Sequence, residues 1–277
     1  MGGRQIAGHI GSKMKITTTE PTILKCSPLP SEQLREMGRE MQSISAGVEL
    51  EIIDYQSERG HYYITLSQPY LGKTGWFIYC GHCSLEVDGY PPSKILKVPY
   101  VSQLDSRYNP GGSCNVASVA MCLQYHGVSA TSPGYPLLDE LYSFMEDRGY
   151  SRHSPYDLAT IINIAGDSNQ QSPGVRPASH KGVIDRFTPN ATLDELKQHI
   201  AGGNPCIIHG YFTAFGHIVV VAGYDQNGLI VHDPYGEWFA GGYRTDLSGA
   251  SLHYSYDLIR RTCIDHEFWV HFVSRRW

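Results

Sequence analysis

The sequence predicts two domains of different class, a small all-β domain over residues 14–89 and an α+β domain over residues 98–277. Short runs rich in Thr, Ile, Tyr and Trp, separated by turn formers, fill the first stretch. The second stretch has helix-like apolar spacing in its first half and closely spaced strand-like runs in its second half. Between the two, residues 90–97 contain consecutive prolines and predict a linker.

Composition narrows the classes of function. Hydrophobic residues make up 41% of the 277 residues and charged residues 18%, which is enough apolar material to bury a core. The net charge of −5 and the lack of any Lys/Arg-rich run argue against nucleic-acid binding. No stretch approaches ~18 apolar residues, so no membrane span is predicted. Residues 1–13 lack the apolar core of a signal peptide, and we interpret them as a leader or tag outside the fold.

Five strand-like runs and one short polar helix are predicted in residues 14–89; the strands lie at 16–19, 22–26, 47–55, 61–66 and 75–80, and the helix near 32–41. Such short strands favour a small barrel. The order G-x-x-L-x-I, H-Y-Y-I-T-L, G-W-F-I-Y resembles bacterial SH3-like domains, which occur appended to cell-wall enzymes. The resemblance implies a ligand- or wall-binding module, and a barrel that only packs against its neighbour is the alternative.

In residues 98–277 the apolar spacing predicts a helix that begins at or next to Cys114 and stops near Gly127. Thr192 and Glu195 have the spacing of a capping box. Residues 166–191 are polar and predict an extended surface loop. The remaining predicted helices lie at 136–148, 155–165, 192–202 and 256–261, and the predicted strands at 205–212, 217–224, 228–232 and 267–273.

The seven cysteines are irregularly spaced in a large chain, which argues against a disulfide framework. Cys80 and Cys83 form a CxxC pair that could be half of a zinc site. A structural zinc ion needs four ligands, and no second pair follows. The sequence therefore predicts no metal and no cofactor.

Cys114 is the candidate nucleophile. At a helix start it lies near free backbone N–H groups and the positive end of the helix dipole, and both favour the thiolate. The thiolate is the attacking form of cysteine. A small buried cysteine with no chemical role is the alternative.

A predicted hairpin contains the candidate base for this cysteine. His217 begins a strongly apolar run, residues 225–228 form an Asp-Gln-Asn-Gly turn, and Asp233 follows the returning strand. Folding about the turn brings Asp233 close enough to orient the His217 imidazole. The Gln103 side-chain amide, with the backbone N–H of Cys114, would bind the oxyanion.

The three segments Q-L-D-x(8)-C-N-V-A-S-V-A-M-C, G-H-I-V-V-V-A-G-Y-D and G-L-I-V-H-D-P-Y-G resemble the papain-like cysteine peptidases related to the bacteriocin-processing, double-glycine peptidases. The resemblance spans residues 98–277 and implies a papain-like peptidase domain. It also implies a catalytic set of Gln103, Cys114, His217 and Asp233. Where the family usually has Gly after the cysteine, this chain has Asn115.

Together these observations predict a thiol peptidase acting on peptide or peptidoglycan, either a bacterial cell-wall hydrolase or a phage-type lysin targeted by the SH3-like domain. Action outside the cell or at the wall is expected, although no leader encodes it. A general or leader-type peptidase and a catalytically silent wall-binding protein are the alternatives. Gly216, Tyr235 and Trp238 are candidate substrate-binding residues, with plain packing as the alternative.

Overall fold

The computed structural model describes residues 13–166 and 182–275 of the chain. Its contacts divide the chain into two compact units, an amino-terminal unit, Met1–Pro92, and a carboxy-terminal unit, Ser93–Trp277. No helix in the described ranges is long and apolar enough to cross a membrane.

The amino-terminal unit is an antiparallel sheet of seven strands with one short helix. Its elements are β1 (Met14–Thr18), β2 (Thr22–Lys25), α1 (Ser31–Glu36), β3 (Met41–Ile44), β4 (Glu49–Glu58), β5 (His61–Tyr70), β6 (Lys73–Tyr79) and β7 (Cys83–Val87), with a 3₁₀ turn at Cys80–His82. The five predicted strands are present. Strands β3 and β7 were not predicted, because four or five residues with few apolar side chains give little periodic signal.

The strands of this unit are hydrogen-bonded in the order β3-β2-β6-β5-β4-β1-β7. A closed barrel would also need β3 to pair with β7, and the described residues show no such pairing. The predicted SH3-like barrel is therefore not confirmed. One face of the sheet forms a continuous core that includes Ile16, Leu24, Leu50, Ile64, Trp76 and Ile78.

The carboxy-terminal unit contains helices and a second antiparallel sheet. Its elements are β8 (Lys94–Ile95), α2 (Cys114–Tyr125), α3 (Leu137–Arg148), α4 (Pro155–Gly166), β9 (Val183–Thr188), α5 (Leu193–Ala201), β10 (Cys206–Gly210), β11 (His217–Tyr224), β12 (Gly228–His232), β13 (Glu237–Phe239), β14 (Gly242–Arg244), β15 (Leu252–Ser255), α6 (Tyr256–Ile259) and β16 (Val270–Arg275). A 3₁₀ turn at Gln103–Asp105 precedes α2, and a π-helical turn at Arg260–Ile264 continues α6.

The sheet of this unit has the order β15-β12-β11-β10-β16-β9. The short strand β8 pairs with the last two residues of β11, Gly223 and Tyr224. Helix α2 packs on β11, where the Ser118 hydroxyl donates to the Ile218 carbonyl at 3.3 Å. Every residue of β11 is buried. Since side chains of a strand alternate between the two faces, both faces of this strand are covered, which explains its unbroken apolar sequence.

Helix starts and ends agree well with the sequence. The Thr192–Glu195 capping box is confirmed, because Thr192 Oγ1 accepts from the Glu195 N–H at 3.1 Å and the Glu195 carboxylate accepts from the Thr192 N–H at 2.9 Å. Helix α3 ends at Gly149, whose φ of 73° is the left-handed conformation that glycine favours. Helix α2 begins at Cys114, as predicted.

The predicted surface loop over residues 166–191 is wrong in its last part. Residues 183–188 form β9, an edge strand paired with β16 along its whole length. The sequence did not predict this strand because its side chains are mostly half-buried and mixed in polarity, so the alternation of apolar and polar residues is weak. The part of the predicted loop between residues 167 and 181 lies outside the described residues.

Candidate active site

Cys114 is the first residue of α2 and is partly exposed. The preceding loop makes a tight turn in which the Gly112 N–H donates to the Asn109 carbonyl at 3.1 Å. A Cβ at Gly112 would lie 2.7 Å from the Asn109 amide nitrogen, so glycine suits this position. The sulfur therefore lies at the helix N-terminus, where the helix dipole favours a negative charge.

His217 and Asp233 meet at one end of the β11–β12 hairpin. His217 is the first residue of β11, and Asp233 directly follows the last residue of β12. The register places Val220 opposite His232. The hairpin thereby brings His217 Nε2 within 2.7 Å of Asp233 Oδ1, and both side chains are buried. The predicted proximity of the two side chains is confirmed.

Both carboxylate oxygens of Asp233 accept further hydrogen bonds. Oδ1 accepts from the Tyr235 N–H at 3.0 Å, and Oδ2 accepts from the hydroxyls of Tyr243 and Tyr254, each at 2.8 Å. Burial and the charge of Asp233 raise the pKa of both tyrosine hydroxyls, which keeps them protonated as donors. Four partners hold the carboxylate in place, so it can orient the His217 ring.

Cys114 and His217 line the same cleft, and each shifts the pKa of the other. Burial alone would raise the pKa of the Cys114 thiol, but the hydrogen bond and charge of His217 outweigh it and lower the pKa. The backbone groups of Ile218 and Asn115 also lower the pKa of the thiol. Burial would lower the pKa of His217, but the charge and hydrogen bond of Asp233 raise it above its ordinary value. These opposite shifts favour a thiolate–imidazolium pair over a neutral thiol and imidazole.

Gln103 is buried in the 3₁₀ turn that precedes α2, and it lines the same cleft as Cys114. Its backbone N–H donates to the Pro234 carbonyl at 2.9 Å, which ties the turn to the residue after Asp233. Its Nε2 donates one hydrogen to the Pro110 carbonyl at 2.8 Å. A primary amide carries two hydrogens, so a second donor is left for another acceptor.

Asn115 has a local structural explanation. Its Nδ2 donates to the Arg152 carbonyl at 2.7 Å, and its Oδ1 accepts from the Val116 N–H at 2.8 Å. The side chain thus satisfies one of the free N–H groups of the helix start and holds the loop before α4 against it. A glycine here could make neither bond.

A cleft of about 600 Å³ opens at the Cys114 sulfur. Two of the three predicted substrate-binding residues, Gly216 and Tyr235, line it. Trp238 is not among the lining residues, and its indole nitrogen donates to the Phe212 carbonyl at 3.0 Å. The cleft walls include side chains that the sequence did not single out for the site, among them Arg152, His209, Tyr211, Phe215, Glu267 and Trp269.

Tyr243 and Tyr254 are the site residues that sequence analysis missed. They lie ten and 21 residues after Asp233, in β14 and β15, and contact it only because the chain folds back over the strand end. Gly249 makes this return possible, since a Cβ there would lie 1.8 Å from the Asp233 carbonyl oxygen. Within residues 13–166 and 182–275, no group of three or more His, Cys, Asp or Glu is arranged to hold a metal ion.

A cysteine paired with a buried histidine and carboxylate, on a helix packed against an antiparallel sheet, is an arrangement suited to a thiol hydrolase. Residues 95–264 match the model of the Peptidase_C39 like family. Because the match covers more than half of the chain, the chain belongs to this family, and the membership indicates a cysteine peptidase.

Similarity to known proteins beyond the family match is limited. A crystal structure of a candidate C39-like peptidase from Bacillus anthracis is 17% identical, with a TM-score of 0.41, over 67% of this chain and 99% of the other. No protein with a curated description matches this chain.

Proposed function

We propose that the protein hydrolyses peptide amide bonds by a papain-like thiol mechanism, with Cys114 as nucleophile and His217 as general base and acid. Asp233 orients His217, and Gln103 stabilises the oxyanion. The observation that carries the proposal is the buried 2.7 Å hydrogen bond between His217 and Asp233, with His217 and Cys114 lining one cleft.

The reaction has two steps. The Cys114 thiolate attacks the scissile carbonyl carbon, and the electron pair moves to the carbonyl oxygen. As the tetrahedral intermediate collapses, the C–N bond breaks, His217 gives its proton to the leaving amine, and an acyl-thioester forms. His217 then takes a proton from water, whose oxygen attacks the thioester carbonyl. Collapse releases the acid and restores the thiolate, with the proton back on His217.

Gln103→Ala is expected to lower kcat on the order of 10²-fold with little change in KM. The second Nε2 hydrogen would stabilise an oxyanion that forms only in the transition state, and loss of one such donor has about this effect. Steady-state kinetics on a fluorogenic peptide measures the change. Leu104→Ala is the matched control, because Leu104 lies in the same turn and is 37% exposed. An unchanged kcat in Gln103→Ala would exclude the amide as the oxyanion donor.

We further propose peptidoglycan as the substrate class, as in a cell-wall hydrolase or phage-type lysin. Support comes from the separate β-rich amino-terminal unit, whose sequence resembles wall-targeting SH3-like domains. A general or leader-type peptidase, in which this unit governs substrate entry, is the alternative from the same enzyme class. A catalytically silent wall-binding protein is the alternative from another class.

Turbidity of purified bacterial cell walls distinguishes these functions. The wild-type chain is expected to clear the suspension and release new amino groups, whereas Cys114→Ala binds the walls without clearing them. Cleavage of soluble peptides without wall clearing would favour the general or leader-type peptidase. Wall binding with no turnover of either substrate would favour the silent binding protein and overturn the enzymatic proposal.

A further inference from the structure

Lys25 is a buried cation in the amino-terminal unit, on β2. Only 6% of the residue is exposed. Its Nζ donates to the Leu29 carbonyl and to His61 Nε2, each at 2.9 Å. Burial lowers the pKa of Lys25, and no nearby charge raises it. The described residues therefore supply neutral acceptors for this ammonium group but no carboxylate.

His61 cannot balance the charge of Lys25. Its Nδ1 lies 3.0 Å from the Arg59 carbonyl oxygen, which can only accept, so Nδ1 carries the hydrogen. Nε2 is then free to accept from Lys25, and the imidazole is neutral. Burial and the charge of Lys25 lower the pKa of His61, while the bond to the Arg59 carbonyl partly opposes them.

Lys15, another cation of this unit, is compensated and more exposed. Lys15 lies on β1, and its Nζ is 2.9 Å from a Glu49 oxygen and 3.6 Å from a Glu86 oxygen. Its side chain is 38% exposed. The contrast matters because an ion buried without a counter-charge is unfavourable, whereas an exposed, paired lysine is ordinary.

A cavity of about 370 Å³ lies beside Lys25. Its lining offers several hydrogen-bond donors: the Lys25 ammonium has a third N–H, and the hydroxyls of Thr22, Ser31 and Tyr79 belong to lining residues. The Tyr79 ring packs edge-on against His61 and His82, with ring centroids 5.5 Å and 4.9 Å away.

His82 completes the polar side of this cavity. Its Nδ1 lies 3.2 Å from Thr22 Oγ1, and its Nε2 lies 3.6 Å from Glu20, whose side chain is 64% exposed. Glu20 is not among the lining residues, so no carboxylate lines the cavity. The lining thus combines a buried cation with neutral donors and an aromatic ring.

We propose that this cavity is a binding site for an oxyanion, a carboxylate or phosphate group of the ligand, with Lys25 Nζ as its charged donor. A charge-assisted hydrogen bond from the third N–H would supply the counter-charge that the fold lacks. Such a site would give the amino-terminal unit a ligand class of its own. The inference does not depend on the peptidase proposal, since it concerns neither Cys114 nor the cleft.

The test is an NMR titration of the full chain at constant ionic strength, which follows the imidazole resonances of His61 and His82. Inorganic phosphate and acetate are the two probes, and chloride is the reference. We expect a saturable shift of both histidines with at least one probe. Saturation by phosphate alone identifies a phosphate ligand, and saturation by acetate alone identifies a carboxylate ligand.

Two variants make the assignment specific to Lys25. Lys25→Met is expected to weaken binding at least about 10-fold, as the loss of a charge-assisted bond would. Lys15→Met removes one charge from the same unit and is expected to leave binding unchanged. Equal weakening in both variants, or no saturable shift in the wild-type chain, would overturn the proposal. Circular dichroism would reveal whether Lys25→Met folds. If it does not, the wild-type titration still tests whether the cavity binds an oxyanion.

Discussion

Cys114→Ala is expected to reduce kcat/KM on any peptide substrate on the order of 10⁴-fold or more, the scale seen when a covalent nucleophile is removed. Alanine cannot form the acyl-enzyme, and His217 then has no thiol to deprotonate. The fold should be retained, because Cys114 is partly exposed and α2 remains packed on β11 through Ser118 and its buried neighbours.

The matched control for this variant is Cys122→Ala. Cys122 lies on the same helix, is fully buried, and has its pKa raised by burial. Its replacement is expected to lower the melting temperature slightly and to leave kcat/KM within a few-fold. Comparable loss of activity in the two variants would contradict a nucleophilic role for Cys114.

Alkylation provides a test that needs no substrate. At pH 6 a thiol with the ordinary pKa of ~8.5 is less than about 1% ionised, so iodoacetamide should label Cys114 faster than any other cysteine. The rate should fall in His217→Gln, because the hydrogen bond and charge that lower the pKa of Cys114 are then lost. Labelling of Cys114 no faster than that of Cys206 or Cys263, both buried, would contradict the assignment.

The sequence was sufficient to place the candidate catalytic residues because the position of each depends on local pattern. The start of α2 follows from a turn-rich loop and apolar helical spacing, so Cys114 was placed at its first residue. The approach of Asp233 to His217 follows from hairpin geometry about an Asn-Gly turn. Both features are encoded within stretches of about 25 residues.

Features that depend on distant contacts were not predictable. Tyr243 and Tyr254 lie in short strands whose sequences carry no periodic signal, and their hydroxyls reach Asp233 through a chain return that Gly249 permits. The predicted closed barrel is not confirmed, because closure depends on which strand edges pair, and sequence pattern alone does not specify that. Sequence pattern therefore placed the candidate catalytic side chains better than the residues that hold them in position.

Asp233→Asn is expected to lower kcat/KM on the order of 10²-fold and to narrow the pH range over which kcat/KM is high. The asparagine oxygen can still accept from His217 Nε2, so the ring orientation is partly preserved, and the loss should be smaller than the ~10⁴-fold loss caused by a wrong tautomer. The amide nitrogen, however, would face the hydroxyls of Tyr243 and Tyr254, which now donate to Oδ2.

The charges of Cys114, His217 and Asp233 determine in which direction the pH profile of kcat/KM shifts. The reactive pair exists above the lowered pKa of Cys114 and below the raised pKa of His217. The charge and hydrogen bond of Asp233 raise the pKa of His217, and burial opposes them. With a neutral side chain at position 233, the pKa of His217 should fall, so the alkaline limb of the kcat/KM profile should move to lower pH. The two limbs are properties of the coupled pair, not of either residue alone.

Tyr254→Phe distinguishes the effect of the Asp233 charge from the effect of the position of its carboxylate. It removes one donor to Asp233 Oδ2 but keeps the carboxylate, so we expect a smaller loss of kcat/KM and an alkaline limb close to that of the wild type. Full pH profiles of the three proteins on one fluorogenic peptide make the comparison. An alkaline limb that stays in place in Asp233→Asn would mean that Asp233 does not sustain the imidazolium. Its role would then be to hold the histidine ring, and the thiolate would owe its stability to its position at the start of α2.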